Sequence, residues 1–459
     1  MTLDAYVASI RDKSIAVLGA GVSNTPLIER LLQDGCRVTV CDKRPSAQMD
    51  GEAERLQALG AELRLGEDYL EGLDQDIIFR TPGLMPFDPH LEAARERGSR
   101  ITSEMEVFFA LCPCPIIAVT GSDGKTTTTT IISELLKAAG YRVHLGGNIG
   151  HPLLCEVPEI SPTDIAVVEL SSFQLHSMVC APHIAVITNL SPNHLDKHRD
   201  FQDYIDAKRA ILERQTGTDR LILNLNDAHS AYYASFAHAK VAWFSDRESV
   251  SSGTQVEDGC IYRVEGAEKQ FIMTTDEIKL PGEHNVLNYL AAFAATDGLV
   301  SAEICREVAM RFAGVEHRLE QVRVLKGVTY INDSIASSPT RTIAGLHALK
   351  TKPIIIVGGY DKHIAFDELG TELCRGAKRV ILTGDTAPLI RRAIEASPLY
   401  EDSGLIVEQI DDFRAAVLAA SAAAVEGDIV ILSPACASFD RFKNFAERGN
   451  TYKKIVMEL

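Results

Sequence analysis

Thr120-Gly-Ser-Asp-Gly-Lys-Thr126 follows directly on an apolar run, Ile116-Ile-Ala-Val119. After it, Ile131, Ile132, Leu135, Leu136 and Ala139 recur on one helical face as far as Gly140. Anions bind where several backbone N–H groups point inward together, which calls for glycine. A helix N-terminus, an ammonium for outer phosphates and a hydroxyl for a magnesium ion add to this. Gly121, Gly124, Lys125 and Thr126 are those parts, and Ser122, Asp123 and Thr127 complete the turn. The longer phosphate-loop pattern would put glycine at 119, where this chain has Val119, so the loop is a shortened variant. Five successive threonines, 126 to 130, are poor helix formers and fit a helix start that faces a ligand. The segment reads as an ATP or GTP site.

Other polar groups stand at the ends of apolar runs. Glu169 closes Ile165-Ala-Val-Val168 and is followed by Leu170-Ser-Ser-Phe-Gln174. Ligands of open parallel sheets gather beyond the carboxyl ends of strands, so Glu169 there suits magnesium. Taken alone it is a solvated strand-end acid. Ala185-Val-Ile-Thr188 leads into Asn189-Leu-Ser-Pro-Asn-His-Leu-Asp196, placing His194 and Asp196 at the same edge. Asn285 and Asn288, three apart at a helix start, suit a base or a phosphate. The plainer alternative is an N-cap and one surface amide. Near the N-terminus, Gly19-Ala-Gly21-Val-Ser-Asn24 lacks the third glycine of a dinucleotide fingerprint, although Asp42 follows at about the expected distance. A nicotinamide site and a nucleotide with only ribose and pyrophosphate are both compatible.

These groups need strands and helices to hold them. Ser14-Ile-Ala-Val-Leu-Gly19, a helical stretch to Leu32 and Arg37-Val-Thr-Val-Cys41 make a βαβ unit, hence a parallel sheet. Ile77-Ile-Phe79 runs to a turn at Thr81-Pro-Gly83, and Ser103 to Glu106 has capping-box spacing. Pro113 and Pro115 mark a new start before the phosphate-loop strand, and a third start follows Gly314. Later strands are expected at Leu221–Leu223, Val328–Ile331, Pro353–Val357, Arg379–Leu382 and Asp428–Leu432, with a helix over Asn285–Ala295. With 459 residues, about three domains of roughly 150 residues are expected. The fold class is α/β, with three consecutive α/β domains and mostly parallel sheets. They divide as 1–111, Rossmann-like; 112–313, P-loop ATPase-like; and 314–459, Rossmann-like.

A net charge of −17 with no basic run disfavours nucleic acid. The first fourteen residues carry Asp4, Arg11, Asp12 and Lys13, and no stretch reaches eighteen apolar residues. Secretion and membrane partners are therefore not expected. Ten scattered cysteines, of which Cys112 and Cys114 alone are close, read as free thiols of a cytoplasmic protein.

Gly121 to Thr126, Val168 to Gln174, Asn193-His-Leu-Asp196, Gly282 to Asn288 and Glu316-His-Arg318 together resemble the Mur ligase family. That family adds amino acids to the UDP-linked peptidoglycan precursor. Ile331-Asn-Asp-Ser334, Gly358-Gly-Tyr-Asp-Lys362, Leu432 to Asp440, Asn444-Phe445 and Arg448-Gly449 resemble its D-glutamate-adding branch. The Asp-Asn-Pro-Arg stretch of the diaminopimelate- or lysine-adding branch is absent. The resemblance implies an ATP-dependent amide-bond ligase that joins D-glutamate to UDP-N-acetylmuramoyl-L-alanine through an acyl phosphate. It implies one or two magnesium ions, with manganese as the alternative, and a monomer.

The resemblance also implies roles. Lys125, His194, Lys208 and Lys362 would be catalytic, and Thr126, Glu169, His194 and Lys208 would hold metal. Lys208 falls where the family carries a lysine carbamylated by carbon dioxide; by sequence pattern alone it reads as a surface helix lysine. Asn285, Asn288, Arg318 and Asp333 would join the loop in holding ATP. Ser23, Asp42, Arg44, Thr81 and Gly83 would hold the UDP part, and Asn148 and Ser171 the sugar-peptide. Ser337, Lys362, Ser438, Phe439 and Phe445 would shape the D-glutamate site. Many relatives have a lysine where this chain has Ile335. Three rivals stand beside this reading: folylpolyglutamate synthetase, which begins at its ATPase domain, a nucleotide-dependent dehydrogenase using Gly19 to Asp42, and a regulatory ATPase.

Overall fold

The fold was obtained as a computed structural model that describes residues 1–21, 23–49, 51–192, 198–280, 282–349, 351–361 and 365–459. In the first 111 residues, β1 (Ser14–Leu18), β2 (Arg37–Asp42), β3 (Glu62–Leu65), β4 (Ile77–Phe79) and β5 (Arg100–Thr102) form a wholly parallel sheet. Its order is β3-β2-β1-β4-β5. Progression reverses between β1 and β4, which puts the loops after these two strands at a switch point, where ligands of such sheets bind. The two loops face each other there: a Cβ on Gly19 would sit 3.4 Å from Thr81 Cβ.

The second sheet carries the phosphate loop. Its strands are β6 (Ile116–Thr120), β7 (Val143–Gly147), β8 (Ile165–Glu169), β9 (Ile184–Ile187), β10 (Arg220–Asn224), β11 (Lys240–Ser245), β12 (Ser252–Glu257), β13 (Cys260–Glu265) and β14 (Glu268–Thr274). They lie in the order β14-β13-β12-β11-β10-β9-β6-β8-β7. Pairing is parallel from β7 to β12, and antiparallel for β12–β13 and β13–β14. Because β6 lies between β8 and β9, Glu169 and Thr188 flank the phosphate loop. The β11–β14 region was not anticipated from sequence. β13 and β14 are largely half-buried or exposed, so they carry polar residues that mask strand periodicity.

Residues 1–312 form one compact unit and 313–459 a second. The expected boundary at 111/112 therefore lies inside the first unit. The helix Glu104–Leu111 explains this, because it is buried on nearly all sides and belongs to one apolar core shared with Leu153, Leu154 and Val157. Ser103 caps it as expected, accepting from Glu106 N at 3.2 Å. Burial raises the Glu106 pKa, against the Arg80 charge and hydrogen bonds from the Ser177 and Thr102 hydroxyls and the Ser103 N–H.

The neighbouring Glu104 is buried and accepts from Leu154 N at 2.7 Å. Burial lifts its pKa from 4.5 to about 7 against the pull of the Leu154 and Leu153 amides. The folded chain keeps this proton while the unfolded chain releases it, so folding stability falls as pH climbs from 4.5 to about 7. Glu104→Gln keeps an acceptor and removes the titration. In thermal or urea melts at pH 8 the variant is expected to exceed the parent by up to about 3 kcal/mol, with no gain at pH 4.

In the second unit, β15 (Glu320–Leu325), β16 (Val328–Asn332), β17 (Ile354–Val357), β18 (Arg379–Leu382), β19 (Ile406–Gln409) and β20 (Ile429–Leu432) lie in the order β15-β16-β20-β17-β18-β19. All pairs are parallel except β15–β16. Among the described residues no helix is long and apolar enough to cross a membrane.

Candidate active site

At the end of β6 the chain turns through Gly121, with φ +149°, and Gly124, with φ +77°, into the helix Lys125–Ala138. Gly124 occupies the N-cap and supplies no side chain to the first-turn N–H groups. Both glycines are required sterically as well as torsionally. A methyl at Gly121 would overlap Thr188 Oγ1, and one at Gly124 would overlap Asn288 Oδ1. The loop is braced from β9: Ser122 N donates to Asn189 O at 2.9 Å, Asp123 N to Asn189 Oδ1 at 3.0 Å and Thr188 Oγ1 to Asp123 O at 2.6 Å. Lys125 Nζ curls back over the loop, donating to Gly121 O at 3.0 Å and Ser122 O at 2.7 Å. Thr127 lies half-buried in the first turn.

Glu169 is buried, with both oxygens engaged beside the loop. Thr126 Oγ1 donates to one and Asn148 Nδ2 to the other, each at 2.7 Å. Lys208 lies at the same edge, donating to Gly121 O at 2.9 Å and Thr120 Oγ1 at 3.3 Å. It is 1% exposed, which overturns its reading as a surface lysine. The helix Phe201–Arg209 turns Tyr204, Ile205, Ala207 and Lys208 inward together. Burial drives the Lys208 pKa well below its ordinary value, and the Lys125 charge lowers it further, while Glu169 and Asp123 pull the other way.

Asn285 and Asn288 are both buried behind the loop, which corrects the N-cap and surface-amide alternative. Gly282 is the N-cap, Asn288 Nδ2 donates to Asn285 Oδ1 at 2.9 Å, and Thr128 Oγ1 donates to Asn288 Oδ1 at 3.2 Å.

Ser23, Asn24, Arg80, Pro82, Gly147 and Gln174 line a single cavity that joins the switch point of the first sheet to the edge of the second. Thr81 is half-buried and Gly83 exposed in the turn after β4. Asp42 accepts from Ala20 N at 2.9 Å and forms two bonds with the Arg44 guanidinium, at 3.0 and 2.8 Å. Burial raises its pKa, but the Arg44 and Ala20 bonds outweigh it and hold the carboxyl below the usual range. Ser171 forms a true capping box with Gln174.

In the second unit Asp333 is buried, accepting from Ser433 Oγ at 2.7 Å and Leu319 N at 3.1 Å. Burial pushes it up to about 6 despite those bonds. Arg318 is exposed, Ser337 half-buried and Ser438 buried. Phe439 and Phe445 are exposed aromatics, set edge-on against Tyr360 at 5.9 Å and His317 at 5.8 Å. His194 and Lys362 lie outside the described residues.

Residues 119–296 match the family profile described as Mur ligase middle domain, and residues 317–436 that described as Mur ligase, glutamate ligase domain. Over 457 residues the chain is 46% identical to a UDP-N-acetylmuramoylalanine–D-glutamate ligase of Acetivibrio thermocellus, covering 99% of this chain and 98% of that one. An enzyme of the same name from Clostridium kluyveri is also 46% identical over 457 residues, covering 99% of each. The chain belongs to the Mur ligase family. Its fold is shared with MurF from Acinetobacter baumannii, at TM-score 0.57 and 17% identity over 97% of this chain and 91% of that one. The UDP-N-acetylmuramate-alanine ligase MurC from Thermotoga maritima gives TM-score 0.56 and 17% identity over 97% and 99%.

Several supports of this Mur ligase site escaped the sequence reading. Thr188 and Asn189 brace the loop, and their place at the end of β9, matching Glu169 at the end of β8, was the available signal. Arg80, 1% exposed, donates to Phe173 O at 2.8 Å and to Leu84 O at 3.1 Å. Nothing in its local sequence marks it as buried. For the loop itself, Gly124→Ala is expected to cost about 1–3 kcal/mol of stability and to weaken ATP binding at least tenfold by calorimetry. Asn288→Ala in that background should restore part of the loss, because it removes the overlap but leaves the positive φ.

Proposed function

We propose that this Mur ligase joins the amine of D-glutamate to the alanine carboxyl of UDP-N-acetylmuramoyl-L-alanine at the expense of ATP. One juxtaposition carries the chemistry: Lys125, Thr126, Glu169 and Lys208 converge on a glycine loop at one sheet edge. The amino acid is carried over from relatives that match the chain end to end.

The loop fits a nucleotide. Its two glycines leave a cradle that a Cβ would fill, and its helix start has N–H groups without a capping side chain. ATP supplies a phosphoryl group that turns a carboxylate oxygen, otherwise a poor leaving group, into phosphate. Gly121 to Thr127 and Lys125 hold the phosphates, with Asn285, Asn288, Arg318 and Asp333 serving the rest of the nucleotide. The Thr126 hydroxyl and Glu169 carboxylate are hard oxygen donors suited to magnesium, and His194 and Lys208, the latter as its carbamate, would complete that set. Ser23, Asp42, Arg44, Thr81 and Gly83 hold the UDP part, and Asn148 and Ser171 orient the sugar-peptide. Ser337, Lys362, Ser438, Phe439 and Phe445 receive D-glutamate. The D-glutamate nitrogen then attacks the activated carbonyl and phosphate leaves. The division into 1–111, 112–313 and 314–459 follows these three tasks, in a monomer of the ATP-rich cytoplasm.

Phosphate release from ATP and UDP-N-acetylmuramoyl-L-alanine is the test. D-glutamate should stimulate it and the other amino acids should not. Stimulation by a different amino acid would transfer the chain to a sister activity. Glu169→Gln replaces one acceptor oxygen by a donor, so the magnesium concentration for half-maximal rate is expected to rise at least tenfold. An unchanged magnesium titration would remove Glu169 from the metal set.

A further inference from the structure

Beside the catalytic edge lies a second group of ligating side chains. Asp203 extends one oxygen to His176 Nε2 at 3.2 Å and the other to His198 Nδ1 at 2.9 Å. Each of the three residues offers a ligand atom within 4.8 Å of the others. The two imidazole rings are near parallel, at 20° and 6.1 Å between centroids.

We propose that His176, His198 and Asp203 form a binding site for a borderline transition-metal cation of the zinc class, distinct from the magnesium set at the phosphate loop. Ligand type separates the two. Magnesium prefers oxygen and near-octahedral geometry, whereas two imidazoles and one carboxylate suit zinc or cobalt. Ligand atoms about 2.1 Å from a tetrahedral ion are roughly 3.4 Å apart. The two His–Asp contacts, 3.2 and 2.9 Å, are near that spacing, and an ion would draw together the three ligand atoms, which already lie within 4.8 Å of one another.

The surroundings supply what orients ligands in such sites. His198 Nε2 meets Ser172 Oγ at 2.9 Å, which fixes the ring and leaves Nδ1 for the ion. Phe173 stacks on the same ring at 5.4 Å and 13°, giving an apolar wall. Asp203 is anchored by its own helix start, where its N–H donates to Asp200 Oδ1 at 2.8 Å. His176 keeps 21% of its side chain exposed, which provides an entry path. An ion here would tie the segment after Glu169 to the helix that carries Lys208.

Zinc titration of the full chain by calorimetry tests this. The background is Cys112→Ser with Cys114→Ser, because those thiols lie 3.5 Å apart and would also take zinc. One zinc per chain is expected, with affinity at least ~100-fold lower in Asp203→Asn and in His176→Ala, and unchanged in Glu169→Gln. Cobalt in place of zinc should give visible absorption that both ligand variants lose. If Asp203→Asn does not fold, the half-exposed His176→Ala carries the decision. Absence of stoichiometric zinc, or affinity unchanged in His176→Ala, would mean a metal-free His–Asp hydrogen-bond network and would overturn the proposal.

Discussion

Replacing Lys208 by alanine should lower kcat about 10³-fold, a loss on the scale of removing a preorganised charge-stabilising group. It should also let a short-chain carboxylate restore part of the rate. A protonated lysine beside Lys125 would repel a metal held at this edge. Carbamylation, which the family resemblance implies for Lys208, would resolve this: the neutral amine would attack carbon dioxide, forming a C–N bond and releasing a proton, to leave a carboxylate-like ligand. The structure favours the neutral amine, because burial first and the Lys125 charge second depress the Lys208 pKa. That depression has a stability consequence of definite sign. Between the lowered pKa and the ordinary lysine value of 10.5, the unfolded chain holds a proton that the folded chain lacks. Stability therefore rises with pH across that interval, and Lys208→Met should flatten the slope in urea melts made without bicarbonate. Full activity of Lys208→Ala, with no carbamate mass on the parent protein, would end the argument.

The contrast between Lys125 and Lys208 shows what sequence makes legible. Lys125 was readable because its neighbours are local: two glycines, a strand before and a helix after, all within about twenty residues. Lys208 reaches the same loop from more than eighty residues away, and only the sheet order brings its helix there. Strands buried on both faces, such as β4 and β18, announce themselves as unbroken apolar runs and stand where they were expected. β13 and β14 do not, because their partial exposure lets Glu, Lys and Gln occupy strand positions. Asn288 was ambiguous for a related reason. A helix-start amide looks the same in sequence whether it faces water or, as here, the back of a glycine whose missing Cβ makes room for it.

Lys125→Ala should be the most damaging change at the nucleotide, with kcat/KM reduced about 10³- to 10⁴-fold while ATP binding weakens only about tenfold. The asymmetry follows from where the charge is needed. In the proposed reaction, backbone N–H groups of the loop would serve the bound phosphates in the ground state, while charge moves onto the transferring group as the reaction proceeds, where the ammonium would be the mobile donor able to follow it. In the structure Nζ rests on Gly121 O and Ser122 O, bonds it can exchange for phosphate oxygens without moving the backbone. Lys125→Arg should not rescue the rate, because a planar fork on a longer stem cannot take the place of a compact ammonium in so tight a loop. The two lysines are also coupled. Removing the Lys125 charge takes away one of the causes that depress Lys208, so the amine protonates more readily and carbamylates less. Lys125→Ala should consequently carry less carbamate on Lys208 by mass spectrometry, and the double variant should lose less than the product of the single losses. A Lys125→Ala enzyme with parental kcat would leave the loop a binding element only and would require another cation to neutralise the transferring phosphoryl group.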